Sequence, residues 1–116
     1  MNRVFVYGTL RRGERNHGQI AGALLLGPAR AIGYELLDMG PYPGMRLGRG
    51  VVHGELYAVD DARLAQLDEF EGHPHLFTRT ELTLADGSRA FSWLWNGPPR
   101  GTHITSGDYA ARAGVR

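Results

Sequence analysis

Three carboxylates crowd one short stretch, Leu67-Asp68-Glu69-Phe70-Glu71-Gly72. Carboxylates held close together push up one another's proton affinity, and a carboxyl group brought near neutral pKa can take and return protons. The stretch closes a predicted helix over about residues 61–71, whose C-terminal end carries partial negative charge and is unfavourable for acids. Glu71 lies four residues after Leu67 and nearest the buried face. Asp68 and Glu69 face solvent or pair with an arginine. One reading is a general-base site; the other is three acids on a solvated turn.

A second stretch offers binding groups rather than a base. Val4-Phe5-Val6-Tyr7 is β-branched or aromatic and uninterrupted by charge, as in a buried strand. Gly8 ends it and Thr9-Leu10 follow. The backbone N–H groups of Gly8, Thr9 and Leu10 then need partners. A curled run of such donors makes a small anion-binding concavity, and Gly8 has no side chain to block a ligand. The alternative is an ordinary strand end with water on those donors. Gly8 and Gly13 have the spacing of a phosphate loop, but Glu14-Arg15 stand where Lys and Ser or Thr are required. Nucleotide binding is therefore not expected.

Other chemistries are disfavoured by what is missing. There is no cysteine, hence no disulfide framework, thiolate metal site or cysteine nucleophile. All thirteen basic residues are arginine, which rules out a lysine Schiff base. His17, His53, His73, His75 and His103 show no metal-binding spacing, so no metal is expected. Ser88, Ser92 and Ser106 occupy no nucleophile elbow. The net charge of +1 supplies no field for nucleic acid. Mean hydropathy is mildly negative and no apolar run approaches membrane-spanning length. The expectation is a cytoplasmic protein with neither membrane nor nucleic acid as partner.

The elements that must position these residues follow in order. The 116 residues suffice for one domain, 1–116. A short helix over about 15–22 follows the loop, with Arg11, Arg12 and Arg15 on a solvated face. Leu24 to Leu37 reads as a strand pair or one bent strand. Met39 to Gly50 is dense in Gly and Pro and reads as a loop. Within it Tyr42, between Pro41 and Pro43, is either a pocket wall or an aromatic packed over the loop. Val51 to Val59 is a strand. Asp60 caps the helix, Leu64, Leu67 and Phe70 line its core face, and Gly72 stops it. Phe77–Ala85 and Ser88–Trp95 form a hairpin across Asp86-Gly87. Phe91, Trp93 and Trp95 alternate onto a core face. The tail after Asn96 wraps the surface. The fold class is α+β: a small mixed β-barrel or sheet with one principal helix and short flanking helices.

Two motifs together resemble the γ-glutamylcyclotransferase-like superfamily. One is Val4-Phe5-Val6-Tyr7-Gly8-Thr9-Leu10 with Arg12-Gly13 and Asn16-His17 behind it. The other is Gly54-Glu55-Leu56-Tyr57 through Asp60, then Leu67-Asp68-Glu69-Phe70-Glu71-Gly72 and Arg79-Thr80. With Pro41-Tyr42-Pro43 they cover most of residues 2–95. The wording looks most like the γ-glutamylamine branch and small bacterial relatives. Phe77 departs from relatives that carry Tyr there.

The resemblance implies a small β-barrel with flanking helices and release of 5-oxoproline and an amine from a γ-glutamyl compound. It implies that Tyr7, Gly8, Thr9 and Leu10 line the substrate cavity and that Glu71 is the catalytic acid/base; Tyr42 joins them as a candidate wall. No cofactor is implied, since the substrate's own α-amine is the nucleophile. The expected protein is a monomer acting on a small-molecule γ-glutamyl substrate. A non-catalytic module binding a glutamyl-like metabolite and a γ-glutamyl hydrolase are the alternatives.

Overall fold

A computed structural model describes residues 1–112. The chain builds β1 (Asn2–Val6), β2 (Leu24–Asp38), β3 (Pro43–Val59), α1 (Asp61–Glu71), β4 (Phe77–Thr83), β5 (Arg89–Trp95) and β6 (Thr102–His103). Two single 3-10 turns, His17–Gln19 and Tyr109–Ala111, complete it. The six strands form one mixed sheet in the order β4-β5-β1-β3-β2-β6. β1 runs antiparallel to β3 and parallel to β5, where Val4 meets Phe91. β3 continues past β1 and bends round to meet β5 at Met45–Leu94, curling the sheet into a half-barrel.

β1 is central because it is apolar on both faces. Alternation sends Val4 and Val6 to one side and Phe5 and Tyr7 to the other. The first side packs with Leu64 and Leu67 of α1, Tyr57, Phe77 and Trp93. The second packs with Leu36, Met45, Val52, Leu82 and Tyr109. Trp93 is buried, with Phe91 and Trp95 half-buried against the same core, as the alternation predicts.

α1 begins at Asp60, whose Oδ1 accepts from Arg63 N–H at 2.7 Å. It ends at Gly72, in the left-handed region at φ 69°. There His73 N–H returns to Asp68 O at 2.9 Å, a glycine-dependent stop that fixes the direction of Glu71. The hairpin across Asp86-Gly87 forms as predicted.

Three expectations need correction. The segment 43–50 is strand, not loop, and only 39–42 turns the chain. Its glycines serve close packing: a Cβ on Gly44 would stand 2.7 Å from Met39 Cε, and one on Gly48 2.8 Å from Glu35. Breakers that would end an isolated strand are tolerated where a neighbour fills their space. The helix over 15–22 shrinks to His17–Gln19. The tail does more than wrap the surface, since β6 pairs with β2, and Ile104 and Tyr109 are buried in the core.

Candidate active site

The glycine loop, the end of α1 and the β2–β3 turn enclose a cavity of about 220 Å³. Tyr7, Gly8, Thr9, Leu10, Tyr42 and Glu71 all line it, so the six residues singled out from sequence converge on one space. The volume is below the roughly 300–1,000 Å³ of sites for drug-sized ligands. It suits a small head group with any remainder outside.

Past Val6 the chain curls, with Arg11 N–H donating to Gly8 O at 3.0 Å. Gly8, Thr9 and Leu10 are buried, yet among the described residues none of their N–H groups has a protein acceptor. Backbone donors in buried residues are normally paired with protein or water, so these three call for a water or ligand partner from the cavity. Acceptors of the loop, by contrast, are engaged by the residues that follow it. Asn16 donates to Thr9 O from its backbone at 3.0 Å and to Thr9 Oγ1 from its side chain at 3.1 Å. His17 Nδ1 lies 2.9 Å from Leu10 O. Asn16 and His17 thus occupy the loop's acceptors, while its donors keep no protein partner among the described residues.

Glu71 is the single formally charged residue among the described residues lining the cavity. Among the described residues its carboxylate has no hydrogen-bonding or ionic partner, and burial pushes its pKa up to about 7. The expected cause, crowding with Asp68 and Glu69, is not the operative one. Asp68 is turned away and fully engaged, with Arg79 Nη1 at 2.8 Å and Trp93 Nε1 at 2.9 Å. That pairing with an arginine follows the sequence reading, and it ties the last turn of α1 to β4 and β5.

Tyr7 Oη donates to Trp93 O at 2.7 Å and accepts from Met45 N–H at 3.3 Å. Burial, and secondarily the charge on Glu71, pushes this phenol far above its usual range, so it stays neutral. Its hydroxyl knits β1 to β5 and β3, and its ring forms the wall. Tyr42 lines the cavity and also packs edge-on against Phe77, ring centroids 5.7 Å apart.

Two further expectations are corrected. Phe70, assigned to the core face of α1, is 39 % exposed and faces the cavity. At the final turn the sheet no longer covers the helix, so periodicity overstates burial there. Arg11, assigned to a solvated face, has a side chain only 14 % exposed, 2.7 Å from Asp108 and 3.6 Å from Glu55. Asp108 comes from the tail, nearly a hundred residues away, and no local pattern announces it. Sequence reasoning also missed Pro43 and Leu76 as walls.

Residues 4–111 match the family model described as gamma-glutamyl cyclotransferase, AIG2-like. The chain is 38 % identical over 111 residues to the YtfP protein of Escherichia coli K12, a gamma-glutamylcyclotransferase family protein, covering 95 % of this chain and 97 % of that one. It is 37 % identical over 103 residues to the gamma-L-glutamyl-butirosin B gamma-glutamyl cyclotransferase of Niallia circulans, covering 82 % of this chain and 66 % of that protein. A crystal structure from Pyrococcus horikoshii superposes with a TM-score of 0.85 at 34 % identity, over 95 % of this chain and 91 % of the other. The chain belongs to the γ-glutamyl cyclotransferase, AIG2-like family.

Proposed function

We propose that the protein converts a γ-glutamyl amine or γ-glutamyl amino acid to 5-oxoproline and the free amine, with Glu71 as acid/base. The observation that carries this reading is that one small cavity is lined both by a carboxylate with pKa about 7 and by three residues whose backbone donors, like that carboxylate, have no partner among the described residues. Membership of the family supports it, and so does the butirosin relative, whose name states γ-glutamyl cyclotransfer.

The chemistry asks little of the protein. The neutral α-amine attacks the γ-carbonyl carbon, forming the ring C–N bond and placing charge on the carbonyl oxygen. Glu71 takes the proton from the attacking nitrogen. As the intermediate collapses, the bond to the leaving nitrogen breaks and Glu71 returns the proton there. A group with pKa near the working pH serves both steps. Ring closure within one molecule already has a high effective molarity, reaching about 10⁵–10⁸ M when the geometry is held. The cavity's task is to hold it. The N–H groups of Gly8, Thr9 and Leu10 suit either the α-carboxylate or the developing oxyanion. Tyr7 and Tyr42 supply walls.

The test is incubation with a panel of γ-glutamyl amines, γ-glutamyl amino acids and glutathione, with 5-oxoproline and glutamate both quantified. Release of 5-oxoproline supports the reading. Release of glutamate would mean that Glu71 activates water instead, and binding without turnover would mean a metabolite-binding module.

A further inference from the structure

Building on the cyclotransferase reading, we infer that Asn16 binds the attacking α-amine. Its Oδ1 accepts from the N–H that the nitrogen keeps, while Glu71 takes the proton that the nitrogen loses. Asn16 follows the glycine loop and lines the same cavity as Glu71. Its other polar groups are committed. The backbone N–H donates to Thr9 O at 3.0 Å, the backbone O accepts from Gln19 N–H at 3.0 Å, and Nδ2 donates to Thr9 Oγ1 at 3.1 Å. Among the described residues nothing donates to Oδ1. With Nδ2 turned to Thr9, the planar amide presents Oδ1 as an unused acceptor.

Ring closure needs an acceptor at this place. A neutral α-amine has two N–H bonds and attacks through its lone pair. As the ring C–N bond forms, one proton passes to Glu71 and the other stays on nitrogen as the lactam N–H. Holding both N–H bonds aims the lone pair at the γ-carbonyl carbon; with Glu71 alone the amine can still rotate about its bond to the α-carbon. Whether the loop's donors take the α-carboxylate or the oxyanion, that group's carbon lies within two bonds of the nitrogen once the ring bond forms. Asn16 is tied to Thr9 by two hydrogen bonds, so an acceptor on it is seated beside the loop and hence beside that nitrogen.

The other lining side chains with an oxygen are less suited. Tyr7 Oη is engaged by Trp93 O and Met45 N–H, and Thr9 Oγ1 already accepts from Asn16. Tyr42 brings its hydroxyl from the β2–β3 turn and makes no hydrogen bond to the loop among the described residues.

The experiment takes the best γ-glutamyl substrate of the panel and its glutaryl counterpart, the same molecule without the α-amine. It compares kcat/KM for the first with Ki for the second. Asn16→Leu should lower kcat/KM by about tenfold to a hundredfold, the worth of a hydrogen bond to a group that gains charge, with Ki changed much less. Asn16→Asp, whose carboxylate offers the same acceptor, should recover much of the loss at alkaline pH, where it and Glu71 are both ionised. Asn16→Ala carries the same comparison should Asn16→Leu not fold. If Asn16 only braced Thr9, the displaced loop would weaken the analogue as much as the substrate, so a rise in Ki matching the fall in kcat/KM would overturn the assignment. Unchanged kcat/KM in Asn16→Leu, equal loss in Asn16→Asp, or a loss confined to Tyr42→Phe would overturn it too. All of these leave cyclisation standing. No 5-oxoproline from any member of the panel would overturn the cyclotransferase reading and this role of Asn16 with it.

Discussion

Pro43 packs so tightly on Gly8 that a Cβ added to Gly8 would stand 2.9 Å from Pro43 Cδ and nearer still to Cγ. Gly8 does not need a positive φ, so glycine is required here by its neighbour and not by its own backbone. This changes what substitution does. Gly8→Ala or Gly8→Val must displace the Pro43 ring, which forms one wall of the cavity, and should lose about 1–3 kcal/mol of stability, the cost of overpacking. Gly18→Ala is the control, since its added Cβ meets nothing within 4 Å. Urea denaturation of the three variants checks this. A Gly8→Val protein as stable as the wild type would mean that the β2–β3 turn yields freely.

Glu71→Gln is nearly isosteric and removes the cavity's carboxyl group, whose pKa is about 7. Turnover should fall by about 10²–10⁴-fold, the usual contribution of a general acid/base. Because the basic form must take the first proton, wild-type kcat/KM should fall as pH drops below about 7, about tenfold per unit. Residual activity in Glu71→Gln should lack that limb. Asp68→Asn and Glu69→Gln should keep it, since neither side chain lines the cavity. Wild-type kcat in Glu71→Gln would sink the assignment.

The same carboxyl has a signature in stability. Its pKa rises from 4.5 in the unfolded chain to about 7 in the fold, so between these values the native state binds the extra proton. Stability from this group is full below about pH 4.5 and is lost as pH rises through about 7. At pH 8 the charged carboxylate then costs the fold on the order of 3 kcal/mol, less whatever water in the cavity screens. Glu71→Gln should therefore be more stable than wild type at pH 8, with the gap closing by pH 4.5. Thermal denaturation across that range checks both sign and window; a variant less stable than wild type at pH 8 would contradict burial as the cause of the shift.

The parts of this fold legible from sequence are those governed by short-range rules. Val4 to Tyr7 declares a buried strand by composition, Asp60 and Gly72 bracket α1 by capping chemistry, and Asp86-Gly87 declares a hairpin. Glu71 was legible because four residues along a helix return to the face of Leu67. What stayed hidden depends on distant partners. Pro43 to Gly50 look like a loop until Met39, Trp95 and Glu35 are seen to fill the space their missing side chains leave. Arg11 looks solvated until the tail brings Asp108 against it. Phe70 keeps the period of the core face but stands where the sheet no longer covers the helix.

Glu55 shows how such a distant contact bears on the site. Its Oε1 accepts from Arg12 N–H at 2.9 Å and from Tyr57 Oη at 3.0 Å. Its Oε2 lies 3.6 Å from Arg11 Nε, and Arg11 reaches on to Asp108. These bonds hold Arg11 and Arg12, and it is Arg11 N–H that closes the turn on Gly8 O and curls the three free donors together. Glu55→Gln keeps an acceptor for Arg12 N–H but removes the charge facing Arg11. With both side chains mostly but not fully buried, the stability loss should be about 1–2 kcal/mol, less than for a deeply buried pair. The kinetic effect should fall mainly on KM, raised by about tenfold for each 1.4 kcal/mol lost from glutamyl contacts, with kcat changed less because Glu71 is untouched. Asp108→Asn, which leaves Glu55 in place, should have a smaller effect in the same direction. Steady-state kinetics with a γ-glutamyl alkylamide, alongside urea denaturation, separates the two effects. A stability loss with KM unchanged would show that the ion pairs hold the tail alone and leave the loop's donors where they were.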